Sequence, residues 1–274
     1  MLLCIVSVVC SAQNTGVQQD ANILQQYATK YTKHAESPTN ELLVLTGKYF
    51  LGKPYTAATL EQEGEEQLVV NLREFDCTTF VETCLALSYA LQSDDTESIE
   101  NYMDILKDIR YRNGVIDGYA SRLHYPSDWL YENSDRLENI TLRLGGKVVD
   151  KPLTFMSLHS RLYSHLKENK ENQEKIRQVE QAINSRKNYT LLPVSKIQQA
   201  EKKIRTGDII IFGANVPGLD YSHIGIAFWE NNILKLLHAS SARKKVVVDS
   251  KSLVQYCTAS KTCTGITVLR IKDN

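Results

Sequence analysis

The sequence predicts an α+β fold in which helices come first and an antiparallel sheet follows. Up to about residue 205, apolar side chains recur mainly at helical spacing, whereas beyond that point they fall into short runs rich in β-branched residues. Turn residues separate these runs, which is typical of antiparallel strands. The runs are GDIIIFG, SHIGIAFW, ILKLLHASS, KKVVVDS and GITVLRI. We expect the helices to pack on one face of the resulting sheet.

The helices are predicted from apolar periodicity, and Gly and Pro mark where they end. Two candidates lie between Ala21 and Lys48, and Gly52 with Pro54 ends the second, so LGKPYTAATLE is predicted to be a loop. The segment EQLVVNLREF is predicted to be a short strand. The helical stretch TESIENYMDILKDIRYRNG is expected to stop at Gly114.

The middle of the chain, from about residue 115 to residue 205, is mixed in character. It contains the loop-like GYASRLHYPSDW and long polar helical stretches, of which FMSLHSRLYSHLKENKENQEKIRQVEQAIN is the clearest. No linker rich in Pro, Gly and Ser interrupts the sequence. We therefore predict that residues 13–274 form a single domain.

The charge balance excludes one class of partner. Lys plus Arg and Asp plus Glu both number 32 among the 274 residues, so the formal net charge is zero. A nucleic-acid-binding protein usually carries a basic patch or stripe, and no basic block stands out in this sequence. We expect a protein that does not bind nucleic acid, does not span a membrane and acts as a monomer.

The first residues resemble a leader for export. MLLCIVSVVCSAQ is an apolar run too short to span a bilayer, and small residues precede Gln13 as at a signal-peptidase site. The charged residues that normally come first are missing, which leaves the true start codon open. We predict that residues 1–12 are a signal peptide and that the protein is periplasmic. A lipid anchor on Cys10 is the alternative, which Val9 disfavours.

Removal of the leader leaves four cysteines: Cys77, Cys84, Cys257 and Cys263. In an oxidising compartment CTASKTC could close a small disulfide loop between Cys257 and Cys263, and the sequence leaves this pairing open. Cys77 and Cys84 lie two helical turns apart, too distant to pair with each other. The spacing of the cysteines does not match a zinc site.

Cys77 occupies an unusual position in EFDCTTFVETCLALSYALQ. Asp76 is a good N-cap, and apolar side chains then follow at helical spacing, so Cys77 falls in the first turn of a helix. Unpaired backbone N–H groups and the helix dipole favour a thiolate there and lower its pKa. Cys84, in the apolar stripe, is interpreted as a core residue. Cys77 is either a nucleophile or a buried cysteine that starts a helix, and the first role needs a base.

Two histidines are predicted to lie on one face of the sheet. His223 begins one strand and His238 ends the next. If Glu230 and Asn231 form the turn between them, the histidines oppose each other, and if Asn231 and Asn232 form it, they are diagonal neighbours. Both registers keep the imidazoles together.

With Cys77, the histidines supply a nucleophile, a base and a residue that orients the base. These are the parts of an acyl-transfer triad, and they need no cofactor and no metal.

The motifs FDCTTFVE, GDIIIF, SHIGIAFW and LLHASSARKKVVVD, in this order, resemble the NlpC-type papain-like cell-wall hydrolases. The resemblance implies a papain-like fold with Cys77 as nucleophile, His223 as general base and acid, and His238 as the orienting residue. It further implies that Tyr55 polarises the reacting carbonyl and that the backbone N–H of Cys77 is an oxyanion donor. It makes about 115–205 a large insertion.

The motif departs from the common members of the family after the cysteine. Thr78 and Thr79 stand where those members have Ser and Gly. In the family, the residues that flank the cysteine contact the free amine of a stem peptide. Thr78 is therefore a candidate for substrate binding, and the change argues against the usual endopeptidase specificity.

The segments LGKPYTAATLE, GYASRLHYPSDW and LDYSHIGIA resemble a narrower branch, the N-acetylmuramoyl-L-alanine amidases of Bacteroides-like bacteria. This implies cleavage between the lactyl group of muramic acid and the first alanine of small anhydro-muropeptides. Candidates for substrate binding are then Arg122, His124, Tyr125, Trp129, Asp220 and Ser222. The alternatives are a γ-D-glutamyl-diamino acid endopeptidase, a non-catalytic peptidoglycan-binding module and an acyltransferase.

Overall fold

The computed structural model of the chain describes the backbone of residues 3–272 and the side chains of residues 16–272. The helices predicted near the start, at Cys77 and before Gly114 are confirmed. The helices are α1 (Leu3–Tyr31), α2 (Thr39–Tyr49), α3 (Cys77–Leu91), α4 (Ile99–Arg110), α5 (Pro126–Glu132), α6 (Phe155–Leu158), α7 (Lys170–Arg186), α8 (Val194–Ala200) and α9 (Leu253–Ala259).

The strands form one antiparallel sheet, and the runs predicted beyond residue 205 are confirmed as its larger part. The strands are β1 (Leu137–Asn139), β2 (Lys147–Val148), β3 (Thr190–Pro193), β4 (Ile209–Ala214), β5 (Tyr221–Glu230), β6 (Ile233–Ser240), β7 (Lys245–Val248) and β8 (Cys263–Ile271). Their order is β2-β3-β8-β4-β5-β6-β7, and β1 also pairs with β8. The sequence did not predict β1, β2 and β3, because two to four residues carry too little periodicity to be recognised.

Helices cover both faces of the sheet, so the expectation that they pack on one face is wrong. The longer helices α2 and α3 share a core cluster with Ile209 and Ile211 of β4, while α8 and α9 share another with Ile210 and Phe212, whose side chains point to the opposite face. Every residue of β4 is buried. A strand buried on both faces needs an apolar layer on each side, and the continuous apolar run Ile209–Phe212 supplies both.

The predicted strand EQLVVNLREF is also wrong, because this segment does not join the sheet. Several of its backbone groups bond to side chains instead. Leu72 donates its N–H to Asp20 (2.9 Å), and the carbonyl of Val69 accepts from Arg110 (2.7 Å). Leu72 and Phe75 of this segment are buried in the main core cluster.

The insertion between about residues 115 and 205 packs around a small apolar cluster of its own. The long polar stretch predicted within it is broken: α6 ends at Leu158, and α7 starts afresh after Asn169, whose side chain caps the N–H of Asn172 at 3.0 Å. The cluster contains Tyr119, Tyr125, Leu153, Met156, Leu166, Ile176 and Ile183.

The predicted leader, residues 1–12, lies outside the part of the chain whose side chains the structure describes. Its role as a signal peptide stays a prediction. Within residues 3–272, no helix combines the length and the apolar character that a bilayer crossing requires.

Candidate active site

Asp76 and Thr79 fix the start of the helix that carries Cys77. The Asp76 carboxylate accepts from the backbone N–H groups of Thr78 (3.0 Å) and Thr79 (2.8 Å), and the Thr79 hydroxyl accepts from the N–H of Asp76 (3.0 Å). This reciprocal pair is a capping box, and it confirms Asp76 as the N-cap. Thr79, where related sequences were expected to have Gly, thus completes the cap and holds Cys77 in the first turn.

The second of the two predicted hairpin registers is confirmed. Asn231 and Asn232 both have positive φ, as the central residues of a two-residue turn require. Pairing between β5 and β6 runs from Glu230–Ile233 to Ile226–Leu237. In the same register His238 lies beside Gly225, and His223 is its diagonal neighbour on the same face of the sheet.

The two imidazoles are joined by a short hydrogen bond. Nε2 of His223 lies 2.6 Å from Nδ1 of His238, and the ring planes are nearly perpendicular. Since Nε2 of His223 is engaged in this bond, its Nδ1 is the nitrogen left for a proton from a nucleophile. The predicted pairing of the histidines is therefore present.

Strand β5 also brings its backbone to Cys77. The ladder between β5 and β6 ends at the Ile226–Leu237 pair, and α3 contacts both strands. A backbone hydrogen bond from Ile224, the residue after His223, acts on the Cys77 thiol. The thiol and the first imidazole are thus held at the same junction between a helix start and a strand.

The thiol and the imidazoles are neutral in the resting site. Burial and the neighbouring Asp76 carboxylate raise the pKa of Cys77 to about 12, although hydrogen bonds from Ile224, Thr78 and its own N–H oppose this. Burial lowers the pKa of His223 to about 3, with a further lowering by His238, and burial lowers the pKa of His238 to about 4. The lowered cysteine pKa expected from the helix start is therefore wrong, because desolvation outweighs the dipole.

Tyr55 lies beside the cysteine, as the sequence resemblance implied. Its loop is tied to the residues ahead of α3, since Phe75 donates to Pro54 and Thr56 donates to Phe75, both at 3.0 Å. Burial raises the pKa of Tyr55, and the neighbouring Cys77 and Asp76 raise it further. The phenol therefore stays protonated and available as a hydrogen-bond donor.

Two neighbours of the imidazoles were missed in the sequence. The ring of Tyr256 stacks on His223, with centroids 6.0 Å apart, and meets His238 edge-on at 5.4 Å. The carboxylate of Asp249 lies 3.6 Å from Nε2 of His238. The acidic end of KKVVVDS was a signal for Asp249, whereas nothing in SLVQYCTAS singled out Tyr256.

The side chains of Arg122 and His124 bond to other groups of the protein. The buried guanidinium of Arg122 pairs with Glu61 (2.6 Å) and Glu66 (3.2 Å), and Nε2 of His124 lies 2.8 Å from the carbonyl of Tyr119. These contacts support a structural role for both residues. Their predicted contact with substrate stays a prediction.

The other substrate-binding candidates fall into two groups. Tyr125, Trp129 and Asp220 are buried. Tyr125 donates to Glu180 at 2.7 Å, and Asp220 accepts from the N–H of Ser127, at the start of α5, at 2.8 Å. Ser222 is exposed and Thr78 is half-buried, and they flank the base and the thiol respectively. Of the set, Thr78 and Ser222 are best placed to meet a ligand.

Cys84 is a buried core residue, as predicted. Cys257 and Cys263 are free thiols close enough to hydrogen-bond to each other. Among the described side chains, no group of three or more His, Cys, Asp and Glu residues gathers in a way that could hold a metal ion.

These features define an α+β protein with a thiol at a helix start and two hydrogen-bonded imidazoles on an antiparallel sheet. The chain matches the AmiA-like, N-acetylmuramoyl-L-alanine amidase-like family over residues 45–266, and it belongs to that family. The amidase branch inferred from the sequence motifs is thereby confirmed. A comparison with curated proteins gave no match.

Solved structures agree with this assignment. The chain is similar to an N-acetylmuramoyl-L-alanine amidase from Bacteroides uniformis, with 38% identity and a TM-score of 0.79 over 86% of this chain and 99% of the other. It is also similar to a Bacteroides fragilis protein named as a candidate xylanase, with 40% identity and a TM-score of 0.76 over 83% and 100% of the two chains. A Legionella pneumophila protein is 25% identical, with a TM-score of 0.68 over 93% and 95%.

Proposed function

We propose that the protein is a cysteine-dependent N-acetylmuramoyl-L-alanine amidase with a papain-like, NlpC-type fold that acts on muropeptides. The observation that carries this proposal is the 2.6 Å bond between His223 and His238 beside the helix start at Cys77. It pairs a base with its orienting partner, on the strand whose Ile224 bonds to the proposed nucleophile, and acyl transfer requires these three parts. The family supplies the class of bond.

The resting thiol is neutral, so it loses its proton as it attacks. The sulfur of Cys77 bonds to the lactyl carbonyl carbon while Nδ1 of His223 takes the thiol proton. The backbone N–H of Cys77 and the phenol of Tyr55 donate to the resulting oxyanion. Protonated His223 then gives its proton to the alanine nitrogen, the C–N bond breaks, and the stem peptide leaves.

A water molecule completes the cycle. His223, now neutral again, takes a proton from water, whose oxygen attacks the thioester carbon. The C–S bond breaks, and the thiolate regains a proton from His223 as the lactyl carboxylic acid leaves. Glycoside hydrolysis, which the xylanase name of one neighbour suggests, uses a pair of carboxyl groups. Here the carboxylate of Asp76 caps a helix and that of Asp249 bonds to the N–H of Lys251, so we assign the reaction to the thiol and the imidazoles.

Mass spectrometry of defined anhydro-muropeptides tests this function. Wild type should release the intact stem peptide, and Cys77→Ala and His223→Asn should not. Cys84→Ala is the matched control, because it removes a thiol from the same helix without touching the site. A cut after D-glutamate would move the specificity to the endopeptidase, and transfer to an added amine in preference to water would indicate an acyltransferase. Binding without any cleavage would indicate a non-catalytic module.

We further propose that the protein acts in the periplasm after removal of residues 1–12. The apolar run and the small residues before Gln13 support this. Sequencing of the exported protein should find Gln13 at its N-terminus, and a lipid-modified Cys10 would contradict the cleavage site.

A further inference from the structure

His238 has one nitrogen with an assigned role and one without. Its Nδ1 bonds to His223, but its Nε2 is fully buried and has no hydrogen-bond partner among the residues that the structure describes. The polar atom that faces Nε2 as an ion-pair partner is Oδ2 of Asp249, at 3.6 Å. The side chain of His238 is 0% exposed and that of Asp249 11% exposed, so this pair is shielded from water. A buried polar nitrogen without a partner is costly and calls for a functional explanation.

The direction of the hydrogen bond between the histidines is not fixed by the two rings themselves. A neutral imidazole has one N–H and one lone pair, so either His223 or His238 can be the donor. If Nε2 of His223 donates, its Nδ1 carries a lone pair and can accept the proton of Cys77. If Nδ1 of His238 donates, Nδ1 of His223 carries the proton and cannot act as a base. Catalysis through His223 therefore requires the first arrangement.

Asp249 decides between the two arrangements. An ionised carboxylate only accepts hydrogen bonds, so it favours the tautomer of His238 whose proton is on Nε2. That tautomer has its lone pair on Nδ1 and must accept from Nε2 of His223. The opposite tautomer would place two lone pairs against each other across the Asp249–His238 gap. The charge of Asp249 also reaches His223, where it opposes the lowering of the pKa by burial.

Asp249 itself is held in a defined orientation. Its backbone N–H donates to the carbonyl of Leu236 (2.8 Å), which fixes the residue to strand β6 two positions before His238. Its Oδ1 accepts from the backbone N–H of Lys251 (2.8 Å). One carboxylate oxygen is thus committed to the local turn, and the other is left for His238.

We infer that Asp249 is a positioning residue that sets the tautomers of His238 and His223, so that Nδ1 of His223 is unprotonated when Cys77 attacks. This inference rests on the proposed role of His223 as the base. It extends the Cys77–His223–His238 triad by one carboxylate, which acts through His238 and does not touch the substrate.

The Asp249→Asn variant tests the inference. Oδ1 of Asp249 accepts from the N–H of Lys251, and we expect the amide oxygen to keep this bond, so that the NH₂ group faces Nε2 of His238. The NH₂ group donates and therefore imposes the opposite tautomer on both histidines. The Asp→Asn change of a Ser-His-Asp triad costs about 10⁴-fold through the wrong tautomer, and with one more ring in between we expect a loss in kcat on the order of 10²-fold.

The Asp249→Ala variant separates this role from a structural one. Alanine removes the preference without imposing the wrong tautomer, so it should cost only about tenfold in kcat, less than the nearly isosteric Asn. A merely structural carboxylate predicts the reverse order, with Asn milder than Ala, and that order would overturn the inference. Asp104→Asn, at a side chain 76% exposed, is the control and should stay within about twofold of wild type.

Imidazole ¹⁵N NMR on the wild-type protein gives a readout independent of activity. The signals of His223 and His238 are assigned by their loss in the respective His→Asn variants. We expect both rings to carry their proton on Nε2 in wild type and on Nδ1 in Asp249→Asn. A proton on Nδ1 of His238 in wild type would overturn the inference even if the protein cleaves muropeptides. The expected tautomers in a protein that cleaves none would support the inference about Asp249 while the proposed function fails.

Discussion

Gly225 lies so close to His238 in the neighbouring strand that a β-carbon on Gly225 would come within 2.9 Å of the β-carbon of His238. The same added carbon would lie 2.8 Å from a methyl group of Leu236. Real β-carbons do not approach this closely, so the absence of a side chain at residue 225 allows His238 to stand beside His223. The glycine of SHIGIAFW therefore serves the site rather than a turn.

Gly225→Ala should lower both stability and activity. Adding a methyl group to a packed core costs about 1–3 kcal/mol, and relief of the clash must move His238 away from His223. We expect a lower melting temperature and a reduced kcat for muropeptide cleavage. Gly16→Ala is the control, since the described atoms nearest to its β-carbon would belong to the Arg73 guanidinium, at 3.4 Å and beyond. A Gly225→Ala enzyme with wild-type kcat would show that the position of His238 is not critical.

The activity should persist into mildly acidic solution. His223 accepts a proton only when neutral, and burial lowers its pKa to about 3 and that of His238 to about 4. We therefore expect kcat/KM to remain level as the pH falls through about 6.5, the ordinary histidine value, and to decline only as the imidazole pair takes up a proton. A pH–rate profile on a defined muropeptide measures this. A decline centred near the ordinary value would mean that the pair is solvated during catalysis.

The same pKa shifts predict that acid destabilises the fold. Because the folded pKa values lie below the unfolded value of about 6.5, the unfolded chain binds protons first as the pH falls. The loss of stability starts below about 6.5 and is complete near pH 3, and above about 6.5 the pair contributes no pH dependence. Between neutral and mildly acidic pH, the melting temperature of wild type should therefore fall further than that of the double variant His223→Asn, His238→Asn. Equal losses in both proteins would contradict the assigned shifts.

A buried ion pair joins α3, the helix that begins at Cys77, to α4. Glu82 of α3 and Arg110 of α4 bond at 2.7 Å, with side chains 2% and 3% exposed. Arg110→Met should destabilise the protein by about 3–5 kcal/mol because Glu82 is left buried and unpaired, whereas adding Glu82→Gln should recover part of the loss. Chemical denaturation measures both. Breaking the exposed pair Arg143–Glu138 with Arg143→Ala should cost less than about 1 kcal/mol.

Equal instability of the single and double variants at Arg110 and Glu82 would contradict this explanation. It would mean that the lost hydrogen bond from Arg110 to the carbonyl of Val69 dominates instead.

The part of the site that the sequence predicted depends on local rules. Asp76 had to cap a helix, and residues separated by an even number of positions along a strand share a face, so Cys77 and the two histidines could be placed from spacing alone. The sequence left two turns open, and the structure selects the one in which Asn231 and Asn232 have positive φ.

The features that the sequence did not predict depend on tertiary packing. Asp249, which directly follows β7, and Tyr256 of α9 reach the imidazoles, and no sequence period links those elements to His223. EQLVVNLREF has the composition of a short strand. A segment forms a strand only if it lies beside the edge of a sheet, and that depends on the tertiary fold. The pKa of Cys77 was predicted in the wrong direction because a helix start is visible in sequence and burial is not.

Arg122 tests whether the residues that the sequence suggested for substrate binding do contact the substrate. Its side chain is 5% exposed and lies between Glu61 and Glu66, so Arg122→Ala leaves two carboxylates without their cation. We expect a loss of about 3–5 kcal/mol in stability, because removing one partner of a buried pair is strongly destabilising. Wherever the variant is still folded, KM for muropeptides should be unchanged. A variant of near-normal melting temperature with a raised KM would instead show that Arg122 leaves its acidic partners to bind a carboxylate of the stem peptide.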